Sequence, residues 1–202
     1  AGGCTPTQVA PPSYLGVGYL ALSATDVYWD EWGGNVFRIA KSGGTPATLA
    51  TGQSTTPGFV AVDSTNVYWA SPGISGAVME TPLGGGPLTQ LVAGSVAAAL
   101  ATDGAYVYWT NGGDILRVPV GGGSSTTLCA SCGDEIQAMT LDSGYVYFVA
   151  SYAGTTVAKV PIGGGPVTTL WTSLATGAPM GIAVGGNTVY WTGDTVRSVT
   201  PK

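Results

Sequence analysis

Histidine is absent from the sequence, and charged residues are scarce. Charged side chains make up 8% of the 202 residues, against about 25% in a typical soluble domain. Without histidine the chain cannot build the nucleophile–histidine pair of many hydrolases or a zinc site with imidazole ligands. The net charge of −5 argues against nucleic acid or an anionic membrane as a partner.

Strong helix formers and long apolar runs are lacking as well. The chain has 33 glycines and 13 prolines, and few of the Glu, Lys, Gln and Arg residues that cover helix surfaces. Although 45% of its residues are hydrophobic, no run approaches the ~18 apolar residues of a membrane helix. The composition predicts an all-β protein without membrane insertion. Its abundance of Thr, Ser and Gly with little Lys indicates a secreted or cell-surface protein.

What the sequence does contain is a repeated Val-Tyr-Trp tripeptide, whose fourth copy ends in Phe instead of Trp. Successive tyrosines are 40, 40, 39 and 43 residues apart. They are Tyr28, Tyr68, Tyr108, Tyr147 and Tyr190. A period of about 40 residues is typical of propellers with four strands per repeat.

Each copy stands in a frame of four predicted strands. A first strand of alternating small and large residues has the period of two that strands show, and a polar turn follows it. Val-Tyr-Trp forms the second strand. The third strand runs into glycines, and the fourth is rich in threonine, as in Thr126-Thr127-Leu128.

The two ends of the chain complete the count of strands. The last repeat has only its first three strands, and Gly2–Val9 aligns with Gly84–Leu91, which enters the fourth strand of the second repeat. Residues 1–202 therefore predict one domain, a five-bladed β-propeller of four-stranded antiparallel blades. The N-terminal strand, at about residues 5–10, is predicted to be the outermost strand of the last blade and to close the ring.

The three cysteines are Cys4, Cys129 and Cys132. A C-x-x-C pair can be a redox site, half of a zinc site or a local disulfide. A redox pair needs a helix behind it and zinc needs more ligands than are present, so we predict a disulfide between Cys129 and Cys132, with free thiols as the main alternative. Cys4 is a weak candidate for a lipid anchor, although the residues ahead of it argue against cleavage there.

The acidic residues divide between the two sides of the predicted propeller. Asp26, Asp63, Asp103 and Asp142 fall in the turn after the first strand, where such residues cap backbone amides. Most of the others fall on the opposite loops and form either a solvated rim or a cation site, for example for calcium. Apart from possible calcium, with Asp134 and Glu135 as the metal candidates, no cofactor is predicted.

Aromatic residues also divide into two groups. Those of the Val-Tyr-Trp strands are predicted to pack between blades, whereas Trp32, Tyr152 and Trp171 are predicted to lie in loops on the acidic face. Exposed aromatic rings suit stacking on a sugar and equally suit a protein interface. The predicted ligand-binding residues are Trp32, Tyr152, Trp171, Asp30, Glu31, Asp114 and Asp194.

Two stretches carry a family resemblance that extends over the repeats of the whole chain. Val27-Tyr28-Trp29-Asp30 and Asn187-Thr188-Val189-Tyr190-Trp191-Thr192 resemble the YWTD-type propeller repeat of low-density lipoprotein receptors and bacterial extracellular propellers. This chain has five repeats where the receptors have six, and its motif Asp is kept only loosely. The resemblance implies a propeller that binds proteins on one face, and no ligand residue can be matched.

These observations predict a non-catalytic extracellular module that recognises a carbohydrate, as lectins do, or a protein. The alternative is a structural or self-assembling subunit of a surface layer or filament, which the low charge and abundant Thr, Ser and Gly favour. A five-bladed glycosidase is less favoured, because no repeated carboxylates occur at the starts of the first strands to face a central channel. We therefore expect no enzyme activity.

Overall fold

The structure is a computed structural model that describes residues 7–10, 16–53, 58–71, 76–94, 97–151, 154–174 and 180–200. The described residues form 19 β-strands and no helix. The predicted all-β class is therefore confirmed. It follows that no helix in this part of the chain is long and apolar enough to cross a membrane.

The strands form five antiparallel sheets, four of them with four strands and the last with three. The first sheet contains β1 (Val17–Leu22), β2 (Asp26–Glu31), β3 (Asn35–Ala40) and β4 (Ala47–Ala50). The second contains β5 (Val60–Val62), β6 (Asn66–Ser71), β7 (Ala77–Pro82) and β8 (Thr89–Ala93). The third contains β9 (Leu100–Thr102), β10 (Tyr106–Asn111), β11 (Asp114–Pro119) and β12 (Thr126–Cys129). The fourth contains β13 (Glu135–Leu141), β14 (Tyr145–Ser151), β15 (Thr155–Pro161) and β16 (Thr168–Ser173). The fifth contains β17 (Gly181–Gly185), β18 (Thr188–Thr192) and β19 (Val196–Val199).

Every Val-Tyr-Trp copy lies in the second strand of its sheet, as predicted. The tyrosine of each copy pairs with the small residue of the first strand, for example Tyr28 with Ala21 and Tyr68 with Ala61. Directly paired residues project from the same side of a sheet. A small residue in the first strand therefore leaves room for the tyrosine ring beside it.

Each sheet has two distinct faces, because successive side chains of a strand point to opposite sides. We call the side that carries the repeated tyrosine the tyrosine face. The other side carries the tryptophan, or Phe148 in the fourth sheet, and we call it the tryptophan face. Tyr68 and Trp69 are adjacent, and both are buried. The strands of internal sheets are accordingly covered on both faces.

The hydrophobic core consists of four layers, each lying between two consecutive sheets. In each layer the tyrosine face of one sheet packs on the tryptophan face of the next. Between the first and second sheets Tyr28 and Leu49 share a cluster with Val60 and Trp69. Equivalent clusters join the second sheet to the third, the third to the fourth and the fourth to the fifth.

The first strands of successive sheets lie side by side, β1 next to β5, β5 next to β9, β9 next to β13 and β13 next to β17. This is the radial arrangement of propeller blades, with the first strand of each blade innermost. In the described residues no hydrophobic cluster joins the fifth sheet to the first. Exposed apolar side chains remain on the tryptophan face of the first sheet and on the tyrosine face of the fifth.

The predicted ring-closing strand stays a prediction, as does the single domain over residues 1–202. Residues 5 and 6 lie outside the described residues, and residues 7–10 are described but do not form a strand. Within the described part of the chain, β19 pairs only with β18.

Candidate functional site

The candidate site residues lie on the side of the blades formed by the β2–β3, β10–β11 and β18–β19 connections and by the links between sheets. We call this side the loop face. The opposite side, with the tight turns that follow the first and third strands, is the turn face. The described candidates fall into three groups, one on the first sheet, one between the third and fourth sheets and one between the fourth and fifth. Tyr152 lies outside the described residues.

Asp30 is buried and already holds two backbone amides. Its Oδ1 accepts a hydrogen bond from the N–H of Tyr19 at 2.7 Å, and its Oδ2 accepts one from the N–H of Gly58, which leads into the second sheet. Burial raises the pKa of this carboxyl above its ordinary value, although the two amides act in the other direction. Its geometry makes Asp30 a bridge between the first two sheets.

The next two residues in the chain, Glu31 and Trp32, are more accessible than Asp30. The Oε1 of Glu31 accepts a hydrogen bond from Nε1 of Trp29 at 3.2 Å, which orients the carboxylate at the end of β2. Trp32 is 49% exposed, and its backbone N–H donates to the carbonyl of Gly16 at 3.2 Å. The main chain at Trp32 is therefore fixed while its indole ring faces solvent.

Two aromatic residues that the sequence analysis did not single out lie at the same end of the first and second sheets. The rings of Tyr19 and Phe59 stack with centroids 3.8 Å apart, and Tyr19 is 44% exposed. They occupy the same position of the repeat, two residues before the small residue of the first strand. The other repeats have Ala or Gly there. An aromatic residue at a position that is small in the other repeats is the sequence signal that could have identified Tyr19 and Phe59.

The second group joins the β10–β11 turn to the link between the third and fourth sheets. Cys129 and Cys132 form a disulfide, as predicted. Inside this small loop the N–H of Ser131 donates to Oδ1 of Asp114 at 2.7 Å. The N–H of Cys132 donates to the carbonyl of Gly113 at 2.9 Å. Asp114 thus holds the disulfide loop against the turn.

Asp134 and Glu135 follow the disulfide loop, and both are exposed. Calcium sites use six to eight oxygen ligands. Across the described residues, no three carboxylates or thiols gather closely enough to hold a metal ion. The calcium site therefore stays a prediction.

The third group surrounds Trp171, which lies in strand β16 and not in a loop. Its ring contacts the ring of Trp191 with centroids 5.3 Å apart, and the guanidinium of Arg197 lies 5.4 Å from its centroid. Arg197 also forms an exposed ion pair of 3.5 Å with Asp194. Trp171 is half-buried between the fourth and fifth sheets. Asp194 is the exposed acidic residue of this group.

On the turn face, by contrast, the carboxylates of the second, third and fourth repeats are used internally. Asp103 accepts hydrogen bonds from the N–H groups of Ala105 and Tyr106 and from the hydroxyl of Tyr108. Asp63 and Asp142 make the same set of bonds in their own repeats. The loop face is therefore where exposed acidic and aromatic side chains occur together.

Comparison with known proteins supports the fold. No protein-family model matches the sequence, and no curated protein matches it. A chain of the nidogen/laminin complex superposes with a TM-score of 0.77 at 19% identity, over 92% of this chain and 76% of that one. Virginiamycin B lyase from Staphylococcus aureus gives 0.76 at 14% identity, over 94% of this chain and 68% of the lyase.

The computationally designed protein Ika8 gives a TM-score of 0.70 at 16% identity, over 95% of this chain and 60% of that protein. This chain therefore spans between about three fifths and three quarters of the lengths of these structures. The five sheets, their radial order and these superpositions together establish the β-propeller fold.

Proposed function

We propose that the protein is a non-catalytic extracellular recognition module that binds its ligand on the loop face. The observation that carries this proposal is the group of aromatic residues at the end of the first two sheets. Tyr19, Trp32 and Phe59 are anchored by backbone hydrogen bonds or ring stacking, and Glu31 directly precedes Trp32 in the chain. Partly exposed aromatic residues on a rigid frame are typical anchors of binding interfaces.

A protein is the favoured ligand class. The aromatic group lies at the loop-face end of two packed sheets, and such a partly exposed aromatic surface suits a partner that presents apolar groups. The chain of the nidogen/laminin complex has the same fold and, by its name, assembles with another protein. A carbohydrate remains the second candidate, because exposed tryptophan and tyrosine rings also suit stacking on sugars.

The experiment that tests this function combines a glycan array, read with and without calcium, with selection from a displayed peptide library. We expect at least one defined ligand, whose affinity falls about 10-fold or more in Trp32→Ala, as for an aromatic hot spot. The control is Val167→Ala, which truncates an exposed apolar side chain between the third and fourth strands of the fourth sheet, on the turn face. The proposal fails if Trp32→Ala and Trp171→Ala leave every measured affinity unchanged.

A further inference from the structure

One position of the third strand lies in each of the four layers between sheets and changes its charge along the chain. It is the residue that pairs with the repeated tyrosine, and it therefore projects from the tyrosine face toward the next sheet. In the first, third and fourth sheets this residue is a cation, but in the second sheet it is a carboxylate. The four residues are Arg38, Glu80, Arg117 and Lys159.

In the layer between the third and fourth sheets, the cation at this position bonds to the next sheet. Nη1 of Arg117 donates to the carbonyl of Ile162, in the glycine turn of the fourth sheet, at 2.6 Å. The guanidinium carbon also lies 4.2 Å from the centroid of the Tyr106 ring. In the following layer, Nζ of Lys159 lies 4.2 Å from the centroid of the Tyr145 ring. A positive charge at this position therefore has an aromatic ring beside it.

In the layer between the second and third sheets, Glu80 takes this position and is buried, with 8% of its surface exposed. Its Oε2 accepts a long hydrogen bond of 3.4 Å from Nδ2 of Asn66. The same Nδ2 lies 3.5 Å from the hydroxyl of Tyr68, which donates to Oδ2 of Asp63 at 2.7 Å. Glu80 and Asp63 thus belong to one hydrogen-bonded cluster near the turn face.

The surroundings of Glu80 contain a second carboxylate and no balancing cation. The titratable groups that face it are Asp63 and Tyr68 of its own sheet, and burial raises the pKa of Tyr68, which keeps the hydroxyl neutral. From the third sheet, the same layer receives apolar side chains such as Val107 and Val118. Among the residues that the structure describes, no lysine or arginine forms an ion pair with Glu80 or Asp63.

We propose that Glu80 makes the contact between the second and third sheets sensitive to pH, so that the contact becomes stronger as the pH falls. At neutral pH, burial and the nearby charge of Asp63 both oppose the carboxylate. Protonation removes the repulsion and gives Glu80 an O–H donor for the cluster. This element lies away from the loop face, and neither proposal depends on the other.

The direction of the pH dependence follows from the proton affinity of Glu80. Burial, with the charge of Asp63, raises the pKa of Glu80 above its ordinary value of 4.5, although the N–H of Gly121 in the third sheet acts in the other direction. The folded chain therefore binds this proton more strongly than the unfolded chain does. The charge of Glu80 destabilises the fold at neutral pH, and this destabilisation is relieved as the pH falls through the raised pKa.

Asp63 contributes a dependence of the opposite sign. Hydrogen bonds from Tyr68 and from the turn amides outweigh its burial and lower its pKa, so its stabilisation is lost at acid pH. The stability of the wild type alone therefore does not isolate Glu80. A variant that removes only the charge of Glu80, compared with the wild type at each pH, does isolate it.

The test is urea unfolding of the wild type and Glu80→Gln, which removes the charge and keeps the shape of the side chain, at about pH 7 and about pH 4. We expect Glu80→Gln to unfold at a higher urea concentration than the wild type at neutral pH. The difference should shrink toward zero at the acid pH, where Glu80 carries its proton. Glu135→Gln, the same change at an exposed position, should match the wild type at both pH values.

A carbon NMR titration of the wild type measures the same property without a variant that must fold. The chain contains three glutamates, Glu31, Glu80 and Glu135, so labelled glutamate carboxyl carbons give three signals. The Glu80 signal should titrate above pH 4.5, and the amide signal of Gly121 should shift with the same midpoint. Titration of Glu80 at or below its ordinary value, or a stability difference that does not change with pH, would overturn the proposal.

Discussion

At the scale of single residues, one carboxylate in each internal repeat performs two structural tasks. Asp103 caps the tight turn through Oδ1 and accepts the hydroxyl hydrogen of buried Tyr108 through Oδ2 at 2.7 Å. In the first repeat Ser23 takes this position and caps the N–H of Asp26 at 3.0 Å, and in the fifth repeat Gly185 takes it. The complete arrangement, in which one carboxylate caps the turn and accepts the tyrosine hydroxyl, thus occurs in the blades that are covered on both faces.

This arrangement predicts coupling between Asp103 and Tyr108. Asp103→Ala should lower the free energy of unfolding by about 1–3 kcal/mol, because the turn amides and a buried hydroxyl both lose their acceptor. Tyr108→Phe should cost about 1 kcal/mol, and the double variant less than the sum of both. Urea unfolding of the four proteins measures the coupling, with Ser23→Ala as the control for the turn alone. Strictly additive losses would contradict the shared hydrogen bond.

The pair of Asp103 and Tyr108 also predicts how the stability of the protein depends on pH. Burial alone raises the pKa of Asp103, but hydrogen bonds from Tyr108, Tyr106 and Ala105 outweigh burial and hold that pKa below its ordinary value of 3.8. The folded protein binds this proton more weakly than the unfolded chain, so the stabilisation is complete above pH 3.8 and is lost as the pH falls through the lowered pKa. Asp103→Ala should therefore flatten the acid side of the stability curve.

At the scale of strands and turns, the glycines between the third and fourth strands fix how one blade meets the next. Gly85 has a φ of 84° and donates its N–H to the carbonyl of Pro82 at 2.8 Å. A Cβ on it would stand 3.5 Å from Cδ2 of Leu49 in the preceding sheet. The turn therefore needs a residue with a left-handed backbone conformation at the point where it contacts the preceding sheet.

Gly85→Ala should therefore lower the free energy of unfolding by about 1–2 kcal/mol, the cost of holding an L-residue in the left-handed region. Its neighbour supplies a matched control, because Gly84 has no positive φ and no atom within 4 Å of its Cβ position. Gly84→Ala should be neutral or slightly stabilising, since it restricts the unfolded chain. Guanidinium unfolding of both variants checks the contrast. Equal changes in the free energy of unfolding would show that the left-handed conformation of Gly85 does not determine the stability of the turn.

Most of these elements could be predicted from the sequence, because each is encoded over a few residues. The alternation around Ala61 and the cluster Val67-Tyr68-Trp69 give strand periodicity, and the glycines at 84–86 give the turn. The role of Asp30 could not be predicted in this way. It follows Val-Tyr-Trp like a loop residue, but one of its partners is Gly58, 28 residues along the chain, and packing of two sheets alone brings them together.

Trp171 and Tyr19 show the same limit for the candidate site. Trp171 lies near the end of a predicted strand and could be taken for a loop aromatic, but β16 continues to Ser173 and places its ring against Trp191. Tyr19 breaks the repeat in the sequence, but its stacking on Phe59 depends on how the first two sheets pack. The contacts that decide whether an aromatic residue faces solvent come from the neighbouring blade, which the local pattern does not specify.

At the scale of the whole molecule, the number of blades could be predicted but the relation between the first and last could not. Closure depends on the rotation between successive sheets, which accumulates from small differences in packing at each layer. Residues such as Leu20 and Tyr190 look the same in the sequence whether their face is covered or free. The exposed ends are therefore a property of the array and not of any single repeat.

The array predicts an uneven distribution of local stability. The second to fourth sheets are packed on both faces and contain fully buried Val67, Val107 and Val146, whereas the first and fifth are packed on one face only. Strands with fewer buried contacts open more readily. Hydrogen exchange followed by mass spectrometry should be slowest in β6, β10 and β14 and faster in β1 and β19.

Comparison of the five sheets within one protein supplies the internal control for this prediction. The three internal sheets should exchange at similar rates, because each of them packs on a neighbouring sheet at both faces. Equal protection of all five sheets would contradict the prediction, and it would mean that the first and fifth sheets are covered as fully as the internal ones.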